Sequence, residues 1–208
     1  MTSSKKDKIR KSRLIGGSIL ILIGLAMVMT PTIIESIDEY KENIKIEIFF
    51  DNEYSSIESS TESFTNQNVD NSSNYIAILE IPKINLRKGL YSINNANNDV
   101  NKNVQILDAS NMPDETNGNF ILASHSGTGR TSYFNDLPKL DINDLVYIYY
   151  NNIKYTYQIY DKYNVDKDGT IEVSIIKNKS MITLTTCNQI DKSKQVVVLG
   201  ELIEKEYY

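Results

Sequence analysis

Leu14 to Ile34 is a run of 21 residues without a charged side chain. A helix of that length, rising about 1.5 Å per residue, spans roughly 30 Å, the hydrocarbon thickness of a bilayer. Chain committed to such a helix cannot join a water-facing core, so this run divides the molecule before anything else is read. The preceding residues, 4–13, read Ser-Lys-Lys-Asp-Lys-Ile-Arg-Lys-Ser-Arg. A basic flank stays in the cytoplasm and puts the carboxyl-terminal bulk outside the cell. Residues 1–13 are therefore expected as a cytoplasmic basic segment. Residues 14–34 are expected as an uncleaved, single-pass transmembrane anchor. A cleaved signal peptide fits less well, because the run is long and no Ala-x-Ala-like site follows it.

Beyond the anchor, Ile37, Tyr40, Ile44 and Ile48 recur at spacings of three and four. That period suits a helical stem leaving the membrane or packing on a domain. Residues 51–74 are mostly Ser, Asn, Asp, Glu and Thr. They offer little to bury against the entropy of folding, so a flexible linker is expected there. Stem and linker together occupy 35–74.

From Tyr75 to Tyr208 the pattern changes to short apolar runs. Residues 75–81, 119–124, 145–150, 153–160, 181–186 and 195–203 are rich in Ile, Val, Tyr and Thr, the side chains that favour strands. Asn151-Asn152 and Asp168-Gly169 read as turns. Residues 133–137 suggest one helical turn stopped by Pro138. Many short strands with few helices predict a mainly β domain, a closed barrel or a sandwich.

The formal net charge of −5 gives no basic footprint for nucleic acid. One cysteine excludes an intrachain disulfide and a cysteine-rich zinc site. There is also one histidine. Any Cys/His chemistry must therefore use Cys187 and His125. Each ends an apolar run: Thr183-Leu184-Thr185-Thr186-Cys187 and Ile121-Leu122-Ala123-Ser124-His125. An imidazole beside a thiol raises its thiolate content and can later protonate a leaving amine. The acidic residues Asp108, Asp114 and Glu115 show no metal-ligand spacing and read as solvated loop charge.

The Thr-Leu-x-Thr-Cys strand end, preceded about sixty residues earlier by Ala-Ser-His, resembles the sortases. Ile78-Leu79-Glu80-Ile81-Pro82-Lys83-Ile84-Asn85 resembles the opening strand of that domain. Tyr133-Phe134-Asn135-Asp136-Leu137 resembles the stretch after its histidine. The resemblance covers essentially all of 75–208. It implies an eight-stranded sortase β-barrel with short helices, acting on the outer face of a Gram-positive-type cell without a cofactor. It further implies that Cys187 attacks a peptide carbonyl in an LPxTG-like sorting signal of a secreted surface protein. His125 would protonate the departing amine. An amine of a peptidoglycan precursor or a pilin would then resolve the thioester. Thr185, Thr186, Ser124 and Arg130 are the implied substrate-binding residues.

One departure stands out. The family carries an arginine on the strand after the cysteine, and the matching position here is Gln195. Either the Gln195 amide replaces it as a neutral oxyanion donor, or Arg130, Lys192 or Lys194 reaches in from a loop, or the enzyme is weak or inactive. The Ala-Ser-His-Ser-Gly segment and the short gap from Cys187 to Gln195 lean towards class B-like or related clostridial-type forms. No second span is expected after the barrel, since residues 196–203 are too short for one. An L,D-transpeptidase is disfavoured by the Thr-Thr-Cys-Asn-Gln context, and a papain-like peptidase by the order of His before Cys. A non-catalytic, membrane-tethered β-domain that binds surface proteins is the alternative from another class.

Overall fold

The computed structural model describes residues 3–58, 74–167 and 178–208. It divides into two compact units, Met1–Ile44 and Lys45–Tyr208. A single helix, α1 (Ser3–Glu58), contributes to both. It contains the whole of 14–34, although the side chains of several of those residues lie outside the described set. Among the described residues no helix is long and apolar enough to cross a membrane.

Helix α1 corrects one expectation. It runs on through 51–58, which were assigned to the linker; residues 59–73 lie outside the described residues. Ile37, Tyr40, Ile44 and Ile48 lie on this helix, as expected, and are exposed. Within the second unit the buried face is Ile46 and Phe49, joined by Phe50, against Tyr75, Ile78, Tyr91 and Tyr149. These helical positions are spaced three and four apart with Glu53 one turn further on, a second stripe rotated from the first. Glu53 accepts the Asn152 N–H at 3.2 Å and the Tyr208 hydroxyl. Partial burial pushes its carboxyl above the usual range.

The remaining chain forms eight strands. They are β1 (Ala77–Ile81), β2 (Leu86–Leu90), β3 (Gln105–Ile106), β4 (Asn119–Ala123), β5 (Leu145–Tyr150), β6 (Ile153–Asp166), β7 (Met181–Cys187) and β8 (Lys194–Tyr207). They make one sheet in the order β2-β1-β5-β6-β8-β7-β4-β3. All pairs are antiparallel except β4 with β7. The two edges approach each other where buried Asn103, just before β3, donates its amide to the carbonyl of Gly89 on β2 at 2.8 Å. The sheet is thus a nearly closed barrel, and eight strands leave an interior that side chains fill. Leu79, Ile106, Phe120, Leu122, Val146, Ile148, Tyr157, Leu184 and Val198 fill it.

The expected strands are present, and β6 and β8 are longer than the apolar runs that announced them. Past Tyr160 and Ile203 they keep pairing with mostly exposed side chains, joined by the Lys154–Glu206 ion pair at 2.7 Å and by Lys205 over the Tyr155 ring. β2 and β3 were not anticipated: Leu86-Arg87-Lys88-Gly89-Leu90 has too few apolar residues, and two residues carry no period. The expected helical turn at 133–137 is displaced to a 3-10 turn at Leu137–Lys139, with Pro138 inside it. Proline is tolerated in a first turn because its missing N–H would be unpaired there anyway. The Asp168-Gly169 turn lies outside the described residues.

Barrel packing is tight beneath β7. A Cβ on Gly200 would lie 2.9 Å from Ile182 Cγ2 and 3.3 Å from the Gln158 carbonyl oxygen. Gly200→Val is therefore expected to destabilise the domain by about 1–3 kcal/mol through overpacking. A urea unfolding midpoint unchanged from wild type would show instead that β7 and β8 slide apart without cost.

Candidate active site

The parallel pairing of β4 with β7 builds the site. Its register sets Asn119 against Met181 and Ala123 against Thr185. Two residues further along each strand come His125 and Cys187, so the ladder delivers the one histidine and the one cysteine to the same end of the sheet. Side chains alternate along β7: Ile182 and Leu184 enter the barrel core, while Thr183, Thr185 and Cys187 take the other face.

Hydrogen bonds continue the ladder past the last strand residues. The Ser124 N–H donates to the Thr185 carbonyl at 3.3 Å. The Thr186 hydroxyl donates to the Ser124 carbonyl at 2.8 Å. The Ser126 hydroxyl donates to the carbonyl of Cys187 itself at 2.5 Å. On its other side, the His125 carbonyl accepts the Phe134 N–H at 3.1 Å. The backbones bearing both reactive groups are therefore held from two directions, which is what preorganised chemistry requires. Cys187 is half-buried and free, and His125 is half-buried.

Gln195 stands directly across from Cys187 in the antiparallel β7–β8 register. Directly opposed residues share a face of the sheet, so the amide and the thiol lie on the same side. The Gln195 Oε1 lies a long 3.5 Å from the Thr185 hydroxyl. Of the other candidates for the missing cation, Arg130 and Lys192 are exposed on loops, and Lys194 pairs with Asp191 at 4.0 Å. The register brings Gln195 to the cysteine.

Among the expected substrate contacts, Thr185 lies on the Cys187 face, 5% exposed, and also donates to the Val196 carbonyl at 3.2 Å. Ser124 and Thr186 are buried, and their hydroxyls donate to the Thr131 and Ser124 carbonyls, at 3.3 and 2.8 Å, so both also tie the His and Cys segments together. Glu115 closes its own loop, accepting the Met112 N–H and the Asn111 amide.

Sequence reasoning missed the polar frame around the pair. Asn135 Oδ1 accepts the Gly127 N–H at 2.9 Å and the Gln189 amide at 2.7 Å, joining the loop after His125 to the loop after Cys187. Asn188 Oδ1 accepts the N–H groups of Ile190 and Asp191 at 2.9 and 3.0 Å, which folds that second loop tightly. In the β2–β3 connection, Asn101 Oδ1 lies 3.2 Å from His125 Nε2. Asp99 Oδ1 accepts both the backbone and the side-chain N–H of Asn101, at 2.9 and 3.0 Å. The backbone bond, the side-chain bond, Lys102 and His125 together hold the Asp99 carboxyl below its usual range. The Asp-x-Asn spacing is a recognisable Asx-turn signal, but nothing local says that its far side meets a histidine.

Such an arrangement can form a thiolate–imidazole pair and hold a neutral donor beside it. A family model described as "Sortase domain" matches residues 79–203. Sortase D of Bacillus subtilis (strain 168) is 34% identical over 110 residues, covering 53% of this chain and 52% of that protein. Sortase A of Bacillus anthracis is 36% identical over 87 residues, 41% of each. The aligned parts thus span about half, or less, of those relatives. The crystal structure of sortase C-3 from Streptococcus pneumoniae superposes with a TM-score of 0.58 at 20% identity, covering 70% of this chain and 71% of that one. That likeness speaks for the barrel alone. With a family model spanning more than half of its length, this chain belongs to the sortase family.

Proposed function

We propose that the chain is a membrane-anchored cysteine transpeptidase. The observation that carries this reading is the parallel β4–β7 register, which sets the one histidine beside the one cysteine with Gln195 opposite. The Cys187 thiolate attacks a backbone carbonyl of an LPxTG-like sorting signal. Charge develops on the carbonyl oxygen, and the Gln195 amide N–H donates to it. His125, now protonated, gives its proton to the departing amine, leaving a thioester on Cys187. An incoming amine from a peptidoglycan precursor or a pilin lysine attacks the thioester and restores the thiol.

The anchor is part of the same proposal. Leu20, Leu22, Leu25, Met27 and Val28 are each more than half exposed on α1, an apolar surface that water would not favour. The basic flank assigns the amino terminus to the cytoplasm and the barrel to the outer face.

The test incubates the protein with LPxTG-like and NPxTN-like peptides, with and without hydroxylamine, and follows its mass. A gain equal to the acyl half of one peptide, discharged by hydroxylamine, is expected. No adduct with any peptide, in folded protein whose Cys187 still reacts with iodoacetamide, favours the non-catalytic binding role. Gln195→Ala is expected to lower kcat/KM by roughly 10–1000-fold, the loss of one oxyanion donor. An unchanged rate would reduce Gln195 to an ordinary strand residue. Gln195→Arg is expected to retain activity, since a charged donor is stronger than a neutral one.

A further inference from the structure

We infer that Asp99 and Asn101 are positioning residues that fix the tautomer and ring orientation of His125. This rests on the role proposed above for His125 as the base and acid of the site. An amide side chain offers an oxygen that only accepts and a nitrogen that only donates. The ionised Asp99 carboxylate accepts only, so the Asn101 nitrogen must face it, at 3.0 Å. The Asn101 oxygen is then the atom left for His125 Nε2, at 3.2 Å. An oxygen there requires Nε2 to carry the proton. Nδ1 is consequently the nitrogen with a lone pair, free to take the proton from Cys187 Sγ. Once Nδ1 is protonated, the ring is a cation, and the Asp99 charge behind Asn101 favours it.

The dyad is itself held in place. The N–H groups of Lys102 and Asn103 both donate to the Asp99 carbonyl at 2.8 Å. The buried Asn98 side chain bridges this loop to β3, donating to the Ile106 carbonyl at 2.9 Å and accepting the Ile106 N–H at 2.7 Å. Asn103 ties the loop's other end to Gly89 at 2.8 Å. The backbone bonds around His125 fix where the residue is, but they leave the ring free to rotate about its side-chain torsions; among the described residues Asn101 is the hydrogen-bond partner that fixes the ring.

One histidine makes the test direct. The full chain, labelled with 15N-histidine and held in detergent micelles, would be studied by long-range 1H–15N correlation, which distinguishes Nδ1–H from Nε2–H in a single ring. Wild type is expected to show the Nε2–H form when neutral. Asn101→Ala is expected to give a mixture of tautomers and to lower kcat about 10-fold, with KM within about 2-fold. That is far less than the roughly 10⁴-fold seen when the wrong tautomer is enforced by a buried partner, because water can replace exposed Asn101. Asp99→Asn, which removes the acceptor-only constraint, is expected to fall between the two. A neutral wild-type ring in the Nδ1–H form would overturn the inference, as would an unchanged tautomer ratio and kcat in folded Asn101→Ala. The spectra need no turnover, so a wild type that is Nε2–H yet inactive would count against the transpeptidase reading alone.

Discussion

Cys187→Ala is expected to remove transpeptidation entirely, to the level of the uncatalysed peptide, while leaving the barrel folded. Both halves follow from where the residue sits. The thiol is the one nucleophilic sulfur in the chain, so no neighbour can substitute for it. Cys187 ends β7 and is only half-buried; removing its sulfur opens no closed cavity in the core. Its structural duties are backbone ones: pairing with Gln195 and accepting the Ser126 hydroxyl at 2.5 Å. Alanine keeps both. Stability should change by less than about 1 kcal/mol, and intact mass should show no peptide adduct. Turnover by soluble, folded Cys187→Ala would end the nucleophile assignment.

His125→Ala is expected to cost about 10²–10⁴-fold in kcat, the contribution of one placed acid–base group, rather than everything. The thiol remains, so slow alkylation of Cys187 by iodoacetamide should persist. The loop should also hold its shape, because the Phe134 N–H reaches the His125 carbonyl and Thr186 reaches the Ser124 carbonyl without using the imidazole. Partial rescue by added imidazole would confirm that the ring's chemistry was lost rather than its packing. Activity near wild type would sink the acid–base role.

The helix of the stem and the strand runs were legible because each is written locally, in an apolar period of 3.6 or 2. Helix α1 carries a second stripe, and the aromatic cluster of Tyr75, Tyr91 and Tyr149 packs on its Ile46 and Phe49. β2 escaped notice because it is an edge strand whose polar residues face out.

By itself the sequence named Cys187 and His125 as the candidate pair, since it holds one cysteine and one histidine, and it marked Gln195 as the odd residue. Only the tertiary structure decided what surrounds them. Strands β4 and β7 become parallel neighbours through a crossover of two intervening strands, which brings the segments of His125 and Cys187 together; the β7–β8 register puts Gln195 across from the thiol. The hydroxyls of Ser124 and Thr186 tie the two segments. Asn101 reaches His125 across 24 residues of chain, and Gln189 reaches Asn135 across 54. Such contacts have no period and no motif, because the hydrogen bonds that make them join segments that meet only once the barrel closes.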